Sequence, residues 1–328
     1  MPRYAMEVIK KHKKTIAIAA FFTFVLLLTG SLFLFQGLTT KNAYFFFPRR
    51  LSKIAAVLLV GYCVSYSSVT FQTITNNRLL TPSIMGFDAL YLFIQTVIVM
   101  FSGQKKIAMM SGYTNFFVSV FVMIICSFGL FLILFRGREK NIYFLLLTGT
   151  VIGSLFGGLS SFMQVLLDPH EFSILQNKMF ASFNNVNQNL LQVSAILVAV
   201  TMLLTVRDNP YLDVVSLGQE HAVNLGVNYR RVVLKNLMVT AVLVSISTAL
   251  VGPITFLGIL VVSITRKVTT TYKHTARIAM AFLTSSTLLV SAMYLTERVF
   301  KFSAPISVLI NFAGGIYFIY LILKERKA

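Results

Sequence analysis

The chain has 328 residues, of which 56% are hydrophobic and only 12% are charged, and its mean hydropathy is +0.79. Soluble domains have roughly 45–50% apolar and about 25% charged residues, so this composition excludes a water-soluble domain and indicates a protein of the lipid bilayer. The net charge of +19 would suggest nucleic acid as a partner of a soluble protein. Here the basic residues lie in short segments beside apolar runs, so we expect no nucleic-acid binding.

Ten apolar stretches follow one another along the chain and predict a single transmembrane permease domain over residues 1–328. The first stretch follows a short basic segment and is too long for a signal-peptide core, so we interpret it as a retained span that starts in the cytoplasm. The eighth is short and offset, because Gly252 and Pro253 break the apolar run before it. The predicted spans are 15–38, 51–71, 84–101, 115–135, 142–167, 189–206, 232–251, 254–265, 277–295 and 305–323.

The distribution of basic residues supports a cytoplasmic position for both termini. With ten crossings, 20 lysines and arginines fall in cytoplasmic segments and nine in outer segments, as the positive-inside rule requires. The outer cluster Lys41, Arg49, Arg50 and Lys53 is the exception to this pattern.

A polar segment after the sixth span, residues 207–231, is far longer than a hairpin between two spans requires. Pro210 and Asp213 suit a helix start, and Gly218 breaks the helical pattern that follows them. We predict two short helices that lie flat under the membrane and present a docking surface to a cytosolic partner. A solvated amphipathic linker is the alternative.

The second of these short helices is predicted over residues 219–225, with Ala222 and Leu225 on one side. Gly226 suits the left-handed position that follows a helix, and apolar Val227 comes next. The pattern therefore predicts where this helix ends.

Two motifs with helix-breaking or small residues lie inside apolar stretches. VGPITFLG (Val251–Gly258) combines two helix breakers, so its backbone must be buried in protein or line a cavity; a proline kink that serves packing alone is the alternative. The fifth span carries a ridge of small residues that permits close helix approach, either within the chain or at a subunit seam. This ridge consists of Gly149, Gly153, Gly157, Gly158 and Ser161.

Polar residues in and between spans offer further candidate sites. Asp88 lies just inside the third span, where an ionisable side chain is a functional-site hypothesis, with contact to water or Arg78 as the alternative. The amide-rich stretch between the fifth and sixth spans suits a pore entrance or a receptor-docking face. Asp168, His170 and Glu171 in this stretch indicate a helix start rather than a metal cluster, so we expect no metal site and no cofactor.

The sequence offers no set of catalytic residues. It lacks the phosphate loop G-x-x-x-x-G-K-[ST], so any ATP hydrolysis must come from a partner chain. His12, His221 and His274 have neither HExxH nor triad spacing, and Cys63 and Cys126 are lone residues without a zinc or disulfide pattern. We therefore expect a transport subunit rather than an enzyme, and an intramembrane enzyme is disfavoured.

Several motifs carry a resemblance to a known family. LGQEHAVNLGV (Leu217–Val227), ALVGPITFLGILV (Ala249–Val261) and APISVLINFAGGIYFIYLILK (Ala304–Lys324) resemble the FecCD-type permeases of binding-protein-dependent ABC importers, the cobalamin and iron-siderophore group. TNNRLLTPSIMGFDALY (Thr75–Tyr91) and MFASFNNVN (Met179–Asn187) look like the YclO/FatC-type permeases of catecholate-siderophore importers, such as those for petrobactin. The chain departs from many relatives at Gln219, where they have the first residue of an acidic pair, and in VVSITR, where they have VPHIAR.

The resemblance implies an all-α, polytopic protein of the bacterial cytoplasmic membrane, with about ten transmembrane helices and a short cytoplasmic coupling helix pair. It implies a second permease subunit, different rather than identical, and cytosolic ATP-binding subunits that drive alternating access. An extracytoplasmic siderophore-binding lipoprotein would deliver the iron-siderophore. The implied ATPase-coupling residues are Leu217, Gly218, Glu220, Ala222, Leu225 and Gly226. The implied residues of the pathway or subunit seam are Gly149, Gly153, Gly157, Ser161, Asn311, Gly314 and Gly315.

A second hypothesis is an ion-coupled secondary transporter of a small metabolite. Such a transporter normally has inverted repeats and acidic residues inside the membrane that carry the coupling ion. The sequence shows no repeat, and Asp88 is the one candidate acid.

Overall fold

The computed structural model describes residues 2–37, 43–109, 112–136, 142–184, 186–302 and 304–325. All regular structure in these ranges is helical, so the predicted all-α fold is confirmed. Short 3-10 turns occupy Pro82–Met85 and Val206–Asp208. The α-helices are α1 (Pro2–Phe35), α2 (Ala43–Ile74), α3 (Phe87–Met109), α4 (Gly112–Arg136), α5 (Ile142–Val165), α6 (Pro169–Met179), α7 (Gln188–Thr205), α8 (Asn209–Val215), α9 (Gln219–Asn224), α10 (Tyr229–Val251), α11 (Leu257–Val268), α12 (His274–Arg298) and α13 (Ile306–Glu325).

Each of the ten predicted spans overlaps a different α-helix, and α6, α8 and α9 lie between these helices. Within the described ranges, seven helices are long and apolar enough to cross a membrane. Some boundaries differ for local reasons. Helix α2 starts at Ala43 and includes Pro48 in its second turn, whereas α3 starts only at Phe87, because the 3-10 turn and Gly86 with φ +89° precede it.

Helix α2 is the central helix and packs against α1, α7, α10, α11 and α12. From Ala56 to Ile74 most of its residues are buried, and many of them are serine or threonine. Because small side chains allow close approach, they suit a helix that is surrounded on all sides. Gly61 is an example, since a Cβ atom there would lie 3.1 Å from the Oγ of Ser286 on α12.

The chain is fully broken between α10 and α11, in contrast to the alternative of a kinked helix at Gly252 and Pro253. Gly252 has φ +100° and ends α10, and α11 begins only at Leu257. A Cβ atom on Gly252 would lie 3.0 Å from the Cα of Ala181, so only glycine fits this approach. The break is buried, and the Ser182 N–H donates to the Val251 carbonyl at 2.8 Å. The prediction of a buried backbone at this motif is therefore confirmed.

The helices give the molecule two ends that are relevant to function. Helix α7 follows α6 and leads to the segment that holds α8 and α9. Helix α10 leads back from that segment, and its last residue, Val251, bonds to Ser182 just after α6. We call these the α8–α9 end and the α6 end. An 18-residue helix such as α7 spans about 27 Å, so the two ends lie roughly a hydrocarbon core apart.

Candidate functional site

One side of the α8–α9 element is fixed to the helical bundle. Leu212 and Val215 of α8 and Ala222 of α9 are buried in one apolar cluster with Val233 and Leu237 of α10. Burial of such side chains contributes about 1.5–3 kcal/mol each for the larger ones. The predicted pair of short helices is therefore packed onto the bundle, in contrast to the alternative of a solvated linker.

The same element also exposes several apolar side chains. The exposed apolar side chains are Tyr211 (50% exposed), Leu217 (58%), Val223 (54%) and Leu225 (64%). Gln219, Glu220 and His221 are exposed beside them. An exposed apolar patch with a polar border marks an interaction surface. We call Tyr211, Leu217, Val223 and Leu225 the docking patch.

The expected common face of Ala222 and Leu225 is wrong, since Ala222 is fully buried whereas Leu225 belongs to the docking patch. Helix α9 ends at Asn224, and Leu225 occupies the C-cap position with its side chain exposed. Gly226 has φ +80°, which confirms the predicted left-handed cap, and Gly218 has φ +102° between α8 and α9.

Two aspartates tie the segment to three membrane helices. Asp213 Oδ1 accepts from the backbone N–H of His274 at 2.7 Å and lies 2.6 Å from its Nδ1. The other ring nitrogen of His274, Nε2, lies 2.7 Å from the hydroxyl of Thr73 on α2. Asp208 forms a 2.7 Å ion pair with Lys235 of α10. The element is thus joined to α2, α10 and α12 by polar contacts as well as by apolar packing.

The sequence did not identify these anchors. Asp213 was expected at a helix start, but α8 begins at Asn209 and Asp213 lies inside it. The contact to His274 joins residues 61 positions apart, and no local pattern signals such a pair. The acidic side chain of Asp213 between apolar Leu212 and Val214 was the one available hint.

The small-residue ridge of α5 separates into two sets. A Cβ atom on Gly149 would lie 3.1 Å from Met85, and one on Gly153 would lie 2.7 Å from the Cα of Gly86. These two glycines therefore serve packing within the chain. In contrast, a Cβ atom on Gly157 meets nothing within 4 Å, and Ser161 is exposed.

Helix α13 shows the same division. Asn311 Oδ1 accepts from the backbone N–H of Phe256 at 3.3 Å, and a Cβ atom on Gly314 would lie 2.5 Å from the Cβ of Phe256. Both residues therefore contact the break between α10 and α11. Gly315, like Gly157 of α5, has open space where its Cβ atom would be.

A cavity of about 690 Å³ opens at the α6 end, between α4, α6, α10 and α13. Lys178 of α6 lines it and donates to Gln95 Oε1 at 2.9 Å, and Gln95 in turn donates to Ser119 at 2.8 Å. Within the described ranges no acidic side chain pairs with Lys178. Burial lowers the pKa of this lysine. A partly buried cation without an anionic partner suits an anionic ligand.

The stretch before this lysine forms the helix start that the sequence predicted. Helix α6 begins at Pro169, directly after Asp168 at the N-cap position. In the described part of the chain, no three His, Cys, Asp or Glu side chains come together as a group that could hold a metal ion.

Arg50, from the outer basic cluster that departs from the positive-inside rule, binds backbone carbonyls at the α6 end. Arg50 donates to the carbonyls of Leu34 and Gln36 at 2.8 and 2.9 Å, and Arg298 donates to the Gln36 carbonyl at 2.7 Å. The guanidinium groups therefore satisfy the free carbonyls at the end of α1. Lys41 lies outside the described residues.

Asp88 lies at the start of α3 and does not meet Arg78 as the alternative supposed. Its Oδ2 accepts from the hydroxyl of Thr255 in the α10–α11 break at 2.7 Å. Arg78 is exposed, and the ion pairs of the described residues do not include Asp88. Asp88 therefore faces the interior of the bundle.

Residues 13–324 match the FecCD transport family. The chain belongs to this family. The FecCD chain is 52% identical to the petrobactin import system permease protein YclO of Bacillus subtilis (strain 168), over 90% of this chain and 94% of that protein. It is 37% identical to the petrobactin import system permease protein FatC of Bacillus anthracis, over 85% of this chain and 78% of that protein.

Its fold matches a solved structure as well. A metal-chelate type ABC transporter in an inward-facing conformation superposes with a TM-score of 0.81 at 22% identity, over 94% of this chain and 99% of that chain. The FecCD chain is thus a multi-pass membrane protein with an ABC permease fold. The comparisons support the importer hypothesis and do not support the ion-coupled alternative.

Proposed function

We propose that this chain is the permease subunit of a binding-protein-dependent ABC importer and that it translocates an iron-siderophore, of the catecholate type, by alternating access. The observation that carries the proposal is the 52% identity to YclO, a petrobactin import permease, along nearly the whole chain. The chain is a transport subunit, and a partner chain hydrolyses ATP.

The docking patch supports a role in coupling to ATP-binding subunits. An element that is packed onto the bundle and also exposes apolar side chains can transmit force from a partner, because it moves as a unit with the helices to which it is fixed. In this proposal the α8–α9 end lies in the cytosol, and both termini lie on the same side as the docking patch. Leu217, Gly218, Glu220, Ala222, Leu225 and Gly226 form the coupling element, in which Ala222 packs inward and the glycines set the turns.

The open positions on α5 and α13 support a contact with a second permease. Gly157, Ser161 and Gly315 lie where no part of the described chain covers them, so they are free to line the pathway or the seam. The partner would be a different chain, because Bacillus anthracis FatC and FatD are both petrobactin import permeases, and this chain is 37% identical to the first and 24% to the second. It would therefore take the place of FatC.

The α6 end would receive the extracytoplasmic siderophore-binding lipoprotein. Arg49 is exposed there, with its guanidinium 4.0 Å from the centre of the Phe45 ring, and Lys53 pairs with Glu297 at 3.4 Å. Basic side chains at a rim attract acidic groups of a partner and speed its association. The cavity with Lys178 opens at this end and would admit the anionic chelate.

Transport in proteoliposomes tests the proposal. The chain is reconstituted with its partner permease and ATP-binding subunits, and uptake of an iron-labelled ferric catecholate is measured with its binding protein outside. We expect uptake only when ATP is present on the side of the ATP-binding subunits. Uptake that is driven by a sodium or proton gradient without those subunits would refute the importer and favour the secondary transporter.

A further inference from the structure

A small cavity lies where the start of α3 meets α2 and the α10–α11 break, and its volume is about 20 Å³. This volume holds one water-sized particle and no more. Half of the lining residues are polar, namely one aspartate and six residues with a hydroxyl group, and the other half are apolar residues or glycine. These polar lining residues are Asp88, Ser67, Ser68, Thr81, Ser83, Ser247 and Thr248.

The carboxylate of Asp88 has no cationic partner in the described part of the chain. Its carboxylate accepts hydrogen bonds from Thr255 and Ser83, and a carboxylate offers about four acceptor positions, so acceptor capacity remains for a further ligand. Asp88 lies in the first turn of α3, and a cation bound beside it would balance the charge of its ionised form. An ionised carboxylate between membrane helices requires a positive charge close by.

The hydroxyl of Thr81 gives independent evidence for a ligand. Thr81 is 1% exposed, it lines the same cavity, and its Oγ1 has no hydrogen-bond partner. Buried hydroxyl groups in native proteins nearly always have a partner. The last turn of α10, with Ser247 and Thr248, also borders the cavity, and the carbonyl end of a helix is its negative end.

We propose that this cavity is a binding site for a monovalent cation of the size of sodium, with the carboxylate of Asp88 and the hydroxyl of Thr81 among its ligands. Hard cations select oxygen ligands, and broken membrane helices supply such sites in other transporters. The cation would join α3 to the α10–α11 break, which already contacts α13 through Phe256 and Asn311. Its binding would therefore stabilise the arrangement of the helices that are proposed to line the pathway.

Thermal unfolding of the purified, full-length permease in its complex tests this site. Sodium chloride is titrated against choline chloride at constant ionic strength and constant pH. For the unaltered protein we expect a saturable upward shift of about 3–5 °C with sodium. Asp88→Asn removes the charge and Thr81→Val removes the hydroxyl at similar volume, and both variants should lose the shift. Asp168→Asn, at an exposed acid just before α6, is the matched control and should keep it.

The thermal shifts distinguish a bound cation from a protonated acid or a water molecule, and no transport substrate is needed for the measurement. An equal shift in the unaltered protein and in both cavity variants overturns the proposal, as does the absence of a sodium-specific shift. If Asp88→Asn gives a more stable protein in both salts, the cavity holds a protonated acid or a water molecule, and the proposal is wrong. If Asp88→Asn fails to fold, Thr81→Val decides alone. Because the readout is cation binding, its failure leaves the import function untouched.

Discussion

Asp213 and His274 form a joint between the coupling element and the membrane helices. The carboxylate of Asp213 receives the backbone N–H of His274 and lies 2.6 Å from its imidazole, and the imidazole is fully buried. Since His274 is the first residue of α12, any movement of α8 acts directly on the start of that helix.

Breaking this joint should uncouple ATP hydrolysis from transport. We expect Asp213→Ala to lower uptake at least tenfold while the ATPase rate of the assembled complex falls much less, because the docking patch is intact. Removal of the buried partner of His274 should also cost about 1–3 kcal/mol of unfolding free energy. Uptake and ATP hydrolysis are measured in the same proteoliposomes. Asp168→Asn is the control, and a proportional loss of both activities would argue against a transmission role.

A charge placed in the docking patch should weaken the association of the permease with its ATP-binding subunits. Leu225→Asp places a carboxylate in the proposed apolar interface, so we expect association with the ATP-binding subunits to weaken by about 2 kcal/mol or more, roughly 30-fold. Co-purification of these subunits with the tagged permease measures the loss. Leu166→Asp is the matched control, because Leu166 is 59% exposed at the opposite end. Equal co-purification from both variants would contradict the prediction.

Gly153 should not tolerate a side chain, whereas Gly157 should. A Cβ atom on Gly153 would meet the backbone of Gly86 at 2.7 Å, but one on Gly157 has open space. We expect Gly153→Ala to lower the midpoint of thermal unfolding by several degrees and Gly157→Ala to leave it nearly unchanged, since backbone cannot move aside as a side chain can. Both variants are compared in the purified single chain, and an equal effect would show that the α3–α5 approach is looser than described.

Lys178 should contribute to uptake through its charge. If the cavity at the α6 end admits an anionic chelate, Lys178→Met should reduce uptake of a ferric catecholate by tenfold or more, and Lys178→Arg should retain most of it. Initial uptake rates at saturating ATP measure the effect. Full activity of Lys178→Met would mean that the lysine is only a structural partner of Gln95.

The same lysine predicts a pH dependence of stability. Burial lowers its pKa in the folded state, so at alkaline pH the folded protein loses this proton before the unfolded chain does. Between the lowered pKa and the ordinary value of about 10.4, the unfolded state binds more protons, and the free energy of unfolding contributed by Lys178 rises with pH. Chemical denaturation across this range should show the rise, and Lys178→Met should abolish it.

The sequence predicted the elements well because their signals are local. Apolar runs predicted helices in ten stretches, of which seven are long and apolar enough within the described residues to cross a membrane, and the composition of residues 207–231 predicted the two short helices. Gly226 was assigned to a left-handed position because few other residues adopt it. The helix start at Asp168 followed from the same kind of signal.

Contacts between distant segments were beyond this kind of inference. The spacing of Gly149, Gly153 and Gly157 is uniform, yet only the first two face Met85 and Gly86. Which face of α5 turns inward depends on the packing of α3, and the residues of α5 alone do not encode it. From the sequence, Arg50 is an exception to the positive-inside rule. Its hydrogen bonds to two carbonyls at the end of α1 join distant residues, and no local pattern predicts them.

Cysteine labelling can determine on which side of the membrane the docking patch lies, and this is the most direct test of the proposed orientation and coupling role. A cysteine introduced as Glu220→Cys, with Cys63 and Cys126 replaced by serine or alanine, is treated with a membrane-impermeant maleimide in intact cells and in inverted vesicles. We predict labelling only in inverted vesicles, and less of it when the ATP-binding subunits are bound. Labelling of intact cells would place α9 outside the cell and contradict both the orientation and the coupling role.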